Sequence, residues 1–161
     1  MIRDDHIIED IQKIMVYLIK KMITDTWTRW EVIFGYPEQA IFEKFTKPFI
    51  YIMAPTEIDG RLQQGGRGRC HWEMTVGLWD DRQTGGSEEI NIQGSKIHNF
   101  FKTPRTCHTQ QFNVTLGATT YTNTTLKAQG IRVLNIKKPK EDIYTEDIKE
   151  FRNEYILTLD G

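Results

Sequence analysis

The sequence contains few of the residues that mark a specialised compartment or a charged ligand. Its 161 residues include only two cysteines, Cys70 and Cys107, too few for a disulfide framework, so we expect a reducing compartment. The formal net charge of -1 provides no uniform positive field for holding nucleic acid along a whole face. Lysines interrupt the longest mostly apolar run, residues 11–23, so we expect no membrane span. What remains is the composition of an ordinary globular protein.

Two segments have the pattern of amphipathic helices. Apolar residues recur in steps of three and four over residues 6–23, which predicts a helix with one buried stripe. A second helix is predicted over residues 87–101, because Ser87 suits the N-cap position and two glutamates follow it. The Thr103-Pro104 pair is expected to end this helix.

Three segments are predicted to form the main sheet. Phe49–Ala54 is almost entirely apolar, which indicates burial on both faces, whereas Arg69–Trp79 alternates apolar and polar residues. We expect these two strands to pair antiparallel, with the polar, glycine-rich residues 56–68 between them as an irregular arm that is mobile in the free subunit. Glu154–Leu159 is predicted as a final strand.

The segment between the second helix and the last strand has weaker signals. Phe112 to Leu116 and the threonine-rich run after it predict a β-hairpin that turns around Thr122-Asn123. Residues 131–136 are another strand candidate, and residues 139–147 are interpreted as a charged connector. The elements together predict one α/β domain over residues 1–161, of the α+β kind. An antiparallel or mixed β-sheet is flanked by an N-terminal and a central helix and carries a long β-hairpin arm.

Two Cys-His pairs raise the question of a zinc site. Cys70-His71 and Cys107-His108 supply zinc-ligand side chains, but adjacent residues of a strand point to opposite faces, and the usual ligand spacings are missing. A cysteine–histidine hydrolase is a related alternative, although neither cysteine lies at a recognisable strand-to-helix turn. We therefore expect buried cysteines and exposed histidines, no metal and no cofactor.

Acidic and glycine-rich segments suggest two further kinds of site. Asp59, Glu73, Asp80 and Asp81 could build a two-metal nuclease centre, but the Glu-x-Lys pattern of such centres is absent. The GGRGR run lacks the lysine and the following helix of a phosphate-binding loop. No catalytic residue is therefore predicted, although a metal-dependent nuclease or another small hydrolase remains the alternative of a different class.

The arm carries a concentration of positive charge. Arg61, Arg67 and Arg69 lie in a stretch without acidic residues, so the tip can meet an acidic protein surface or a phosphate backbone, with a merely solvated loop as the alternative. Asp80 and Asp81 begin the turn that follows the long strand. We take these five residues as candidates for an assembly interface.

The order of elements resembles the tail terminators and related tail-completion proteins of long-tailed bacteriophages of the siphophage type. The resemblance depends on the opening helix IIEDIQKIMVYLIKKM, the segment GYPEQAIFEKFTKPFIYIMAP, and WEMTVGLWDDRQTGGSEE with its following helix. The last strand, EYILTLDG, adds to it. The long insertion that begins at Thr119 is less typical of the family.

The resemblance implies a structural role without a cofactor. Members of the family form homohexameric rings that cap the tail tube, stop its polymerisation and offer the other face to the head connector. The expected partners are other copies of the chain, the tail tube protein, the head-connector or neck protein, and DNA passing through the lumen, with no membrane. The expected location is the head-proximal end of the virion tail, after assembly in the host cytoplasm. A neck or head-completion protein of similar fold is the nearest alternative.

Overall fold

The computed structural model describes residues 2–24, 31–34, 49–61, 69–80, 86–137, 143–145 and 150–160. Within these ranges, a short 3-10 turn, Asp4–His6, leads into the first of three described α-helices, and nine strands are described. The helices are α1 (Ile7–Thr24), α2 (Gly86–Lys102) and α3 (Pro104–Thr109). The strands are β1 (Glu31–Phe34), β2 (Phe49–Ile52), β3 (Thr56–Arg61), β4 (Arg69–Asp80), β5 (Phe112–Leu116), β6 (Thr119–Thr124), β7 (Arg132–Lys137), β8 (Ile143–Thr145) and β9 (Glu150–Asp160).

The main sheet is mixed and is organised around β4 and β9. Its order is β1-β2-β4-β9-β7, with β3 also paired to β4 and β8 also paired to β9. β1 runs parallel to β2, and the other pairings are antiparallel. The predicted antiparallel pairing of the second and fourth strands is confirmed, with Phe49 opposite Trp79 and Ile52 opposite Val76. The fold is therefore of the α+β class, as predicted from the sequence.

The predicted hairpin arm is present, but its first part is more regular than expected. Residues 56–61 were expected to be irregular, yet they form β3 and pair with β4 from Thr56 opposite Glu73 to Arg61 opposite Arg69. The prediction was wrong because it relied on polarity. An edge strand needs only backbone partners, and a register shift between Glu57 and Asp59 accommodates the uneven pattern. The predicted mobile arm otherwise falls on residues 62–68, which lie outside the described residues.

The two predicted helices pack on one face of the sheet. The alternating side chains of β4 on this face, from Trp72 to Leu78, are buried together with apolar residues of α1, α2 and β9. α1 contacts β1, β2 and β5, and α2 contacts β4, β7 and β9. The opposite face carries a separate buried cluster of Phe49, Tyr51 and Trp79, so β2 is buried on both sides as predicted. No helix in the described ranges is long and apolar enough to cross a membrane.

Two details between α2 and β9 differ from the prediction. The β5–β6 hairpin turns at Gly117-Ala118, because Gly117 adopts a φ of 62°, which favours glycine. Asn123, in the predicted turn, also has a positive φ of 52°, but it lies in a bulge where Asn113 Oδ1 accepts a hydrogen bond from its backbone N–H. The predicted charged connector contains the short strand β8, since backbone pairing with β9 does not require apolar side chains.

The N-terminal segment is held by a buried carboxylate on α1. Asp10 is fully buried, and its Oδ1 accepts a 2.8 Å hydrogen bond from the Arg3 guanidinium. Its Oδ2 accepts bonds from Arg3 Nε at 3.1 Å and from the Arg3 backbone N–H at 2.9 Å. Burial alone would raise the pKa of Asp10, but the bonds from Arg3 outweigh it and lower that pKa. The carboxylate therefore fixes the segment that precedes α1.

Candidate functional site

The β3–β4 hairpin brings two of the predicted interface residues together. Arg61 and Arg69 are direct cross-strand partners at the distal end of the described ladder. Among the described residues, the pairing of β4 with β9 extends from Asp80 opposite Phe151 to His71 opposite Asp160, two residues from Arg69. Arg67 lies outside the described residues, in the connection between the two strands. Residues 60–72 contain these three arginines and no acidic residue, so the hairpin end is positively charged.

The acidic interface candidates lie at the other end of the same strand. Asp80 is the last residue of β4 and is opposite Phe151 of β9. Asp81 follows it outside the described residues. Residues 80–89 contain four acidic residues and one arginine, and Arg152 of β9 is opposite Trp79. Acidic residues therefore outnumber basic ones near this end of the strand. An extended strand of twelve residues separates Arg69 from Asp80 by about 35 Å.

The distance of about 35 Å between the two charged ends of β4 determines whether they can form an ion pair within one subunit. Two groups about 35 Å apart do not form an ion pair within one subunit, because direct pairing needs a few ångströms and salt screens longer distances. The two ends are opposite in charge and point away from each other along β4. The two ends therefore do not pair with each other within one subunit.

The Cys-His pairs do not form a common centre in the described part of the chain. Cys107 is a buried free cysteine whose Sγ lies 3.9 Å from the carbonyl oxygen of Phe101. Burial raises the pKa of the Cys107 thiol to about 11, so it stays protonated at neutral pH and is a poor nucleophile. No group of three or more metal-ligating side chains occurs among the described residues. The side chain of Cys70 is not described.

Two of the carboxylates considered for a nuclease centre lie far apart on the same strand. Glu73 and Asp80 both belong to β4, where seven residue steps place them about 24 Å apart. Two-metal centres need ligands around ions that lie about 4 Å apart. Glu73 and Asp80 therefore cannot serve one such centre.

A pocket of about 460 Å³ lies where α3, the turn before β7 and the end of β9 meet. It contains three basic residues from three different segments: Arg105 of α3, Lys127 of the turn and Arg132 of β7. Its acidic residue is Asp160 of β9, whose Oδ2 accepts a 3.0 Å bond from Arg132. His108 and Thr109 of α3 complete the polar lining, together with Gly130 and Ile131 of the turn.

His108 connects this pocket to the sheet. Its Nε2 accepts a 2.9 Å hydrogen bond from the backbone N–H of Val133, so the neutral ring carries its proton on Nδ1. Desolvation lowers the pKa of His108, and the positive charge of Arg132 lowers it further. The ring is therefore neutral at neutral pH, and α3 is attached to β7 through it.

Sequence reasoning did not find this pocket. Arg105, Lys127, Arg132 and Asp160 have no common motif, and they come together only because β7 and β9 pair and α3 packs on β7. Of the residues that line the pocket, the sequence analysis considered only His108, as a possible zinc ligand. Here its imidazole instead accepts a backbone hydrogen bond.

No protein-family model and no curated protein matches this sequence.

Proposed function

We propose that this chain is a structural virion protein that forms a homohexameric ring at the end of a phage tail tube. In this role it stops tube polymerisation and provides the surface for the head connector. The observation that carries the proposal is the opposite charge of the two ends of β4, with Arg61 and Arg69 at one end and Asp80 at the other. The sequence resemblance to tail terminators supplies the specific role.

Opposite charges at the two ends of a strand favour head-to-tail association. A closed ring uses heterologous contacts, in which one surface of a subunit meets a different surface of the next. The basic hairpin end of one copy can donate charge-assisted hydrogen bonds to the acidic end of its neighbour. Because each copy has one basic and one acidic end, the same contact repeats around the ring.

The hairpin also offers backbone and apolar surface for such a contact. β3 has β4 as its strand neighbour in the described ranges, and an edge strand of this kind presents backbone groups to a partner. Ile58 of β3 is 53% exposed, a high value for a large apolar side chain within a sheet. Packing of Ile58 against a neighbour adds apolar burial to the charge pairing, which makes the contact less dependent on salt.

Charge reversal tests this arrangement directly. We expect Arg61→Glu with Arg69→Glu to prevent ring formation in the presence of tail tube protein, because it places acidic ends against acidic ends. Asp80→Lys with Asp81→Lys should do the same. Mixing the two double variants should restore even-numbered rings in which the variants alternate, because an acidic end then meets a basic end at every contact. Combining all four changes in one chain should also restore rings, since every contact is then complementary again. Native mass spectrometry and negative-stain electron microscopy measure the ring.

A matched control separates the effect of disrupting the ring contact from the effect of changing the net charge. Lys21→Glu with Lys102→Glu makes the same change in net charge at two exposed helix positions, one on α1 and one on α2, outside β3 and β4. This control should assemble as the wild type does. If it also fails, or if the fourfold variant does not recover rings, the β4 ends are not the ring contact.

A further inference from the structure

The pocket between α3, the turn before β7 and the end of β9 has more positive than negative charge. Arg105, Lys127 and Arg132 supply three permanent cations, and Asp160 supplies one carboxylate. His108 is kept neutral by its surroundings and offers its Nδ1–H as a further donor. The lining is therefore rich in donors and leaves positive charge uncompensated.

The three basic residues differ in whether they form an ion pair with a carboxylate among the described residues. Arg132 uses one guanidinium nitrogen for Asp160 and is 64% exposed, so its remaining donors can reach a ligand. Within the described ranges, neither Arg105 nor Lys127 forms an ion pair, and both are exposed. Two cations of the pocket thus have no carboxylate partner among the described residues, and Arg132 has guanidinium donors that Asp160 does not use.

We propose that this pocket binds a phosphate group, supplied by a free phosphate ligand or by the backbone of nucleic acid. Arginine and lysine donors arranged on several sides of a concave site are the usual way in which proteins hold phosphate. A phosphate monoester carries close to two negative charges at neutral pH, which matches the excess of cations over Asp160 better than a single carboxylate does. The backbone of nucleic acid carries one negative charge per phosphate, so two successive phosphates would supply the same charge. The volume of about 460 Å³ accommodates a nucleotide-sized ligand.

The phosphate site and the proposed ring contact use different residues, although they are adjacent at one end of the sheet. The site is lined by residues of α3, the turn, β7 and β9, and its Asp160 pairs with His71, two residues from Arg69 of the ring contact. Ring formation by a variant that has lost phosphate binding would therefore leave the proposed function standing. Phosphate binding by a protein that forms no ring would leave this inference standing.

Titration by nuclear magnetic resonance and calorimetry tests the site with three probes: inorganic phosphate, a short DNA duplex and a short peptide rich in glutamate. We expect inorganic phosphate to shift the backbone amide signals of His108 and Lys127. Replacing Arg105 and Lys127 together with alanine should weaken binding by about tenfold for each cation removed. Competition between phosphate and the duplex for the same signals would assign the backbone of nucleic acid as a source. Phosphate binding without duplex binding would assign a free ligand.

The control variant is Lys21→Ala, which removes an exposed cation from α1 and should bind phosphate as the wild type does. Arg105 and Lys127 are exposed, so the double variant should fold, and its circular dichroism melt verifies this. The inference is overturned if the wild type binds neither phosphate nor the duplex. It is also overturned if the double variant binds as tightly as the wild type, or if only the acidic peptide binds.

Discussion

Gly77 of β4 lies against the ring of a buried tyrosine on the neighbouring strand β2. Tyr51 is the cross-strand partner of Gly77 and is fully buried. A Cβ atom added at Gly77 would overlap Cζ, Cε1 and Oη of Tyr51, far inside the ordinary van der Waals range of 3.4–4 Å. Gly77→Ala should therefore push the tyrosine ring out of its place in the cluster with Phe49 and Trp79.

The expected loss in the free energy of unfolding is large because the overlap occurs at a fully buried ring. Overpacking a core costs about 1–3 kcal/mol, and the upper end applies because the ring is fully enclosed and β4 is paired on both sides. We predict that Gly77→Ala lowers the free energy of unfolding by about 3 kcal/mol. For a chain of this size this corresponds to a decrease of about 6–12 °C in Tm. Urea denaturation followed by circular dichroism measures the first quantity, and a thermal melt measures the second.

A double-mutant cycle shows whether the overlap is the cause. Tyr51→Val alone should cost about 3 kcal/mol, because it removes a buried aromatic ring. In that background, Gly77→Ala should cost less than about 1 kcal/mol, since the overlapping ring is gone. Equal costs of Gly77→Ala in both backgrounds would refute the close approach of Tyr51 to Gly77 as the reason for the glycine.

Three further predictions concern titratable groups. The folded protein lowers the pKa of Asp10, so the bonds from Arg3 stabilise the fold at pH values above the unfolded pKa of about 3.9. This stabilisation is lost as the pH falls through the folded pKa. The free energies of unfolding of the wild type and of Asp10→Asn, measured by urea titration, should therefore converge in acid. In a Cys70→Ser background, Cys107 should not react with a thiol reagent at pH 8 until the protein unfolds, because the pKa of its buried thiol is about 11. Rapid labelling of Cys107 in the folded protein would contradict this prediction. The lowered pKa of His108 means that its neutral ring contributes full stability above about pH 6.5 and progressively less below it. His108→Gln should flatten that part of the stability profile, because glutamine has no imidazole to protonate.

Periodicity predicted the elements whose side chains face the core. α1 and β4 have strong patterns because one side of each is buried, and the patterns extend over enough residues to be unambiguous. β3 and β8 were missed because their stability derives from backbone pairing with a neighbouring strand, which leaves no trace in the polarity of their side chains. The β5–β6 turn was misplaced because Asn123, a turn-favouring residue, is used in a bulge.

The candidate sites were predictable to different degrees. The basic hairpin end is local in sequence, so Arg61 and Arg69 could be grouped, and their cross-strand pairing follows from a simple hairpin. Their distance from Asp80 follows only from the length of β4 as one uninterrupted strand. The phosphate pocket could not be predicted, because its residues converge through the pairing of β7 with β9 and through the position of α3.

The central claim is that copies of this chain close into a ring that ends a tail tube. The most direct measurement adds the purified protein to polymerising tail tube protein and records tube lengths and tube ends by electron microscopy. The account predicts short tubes that carry a hexameric ring at one end, and unchecked growth with the Arg61→Glu, Arg69→Glu variant. Tubes that grow to the same length with and without the wild-type protein, and that carry no ring, would contradict it.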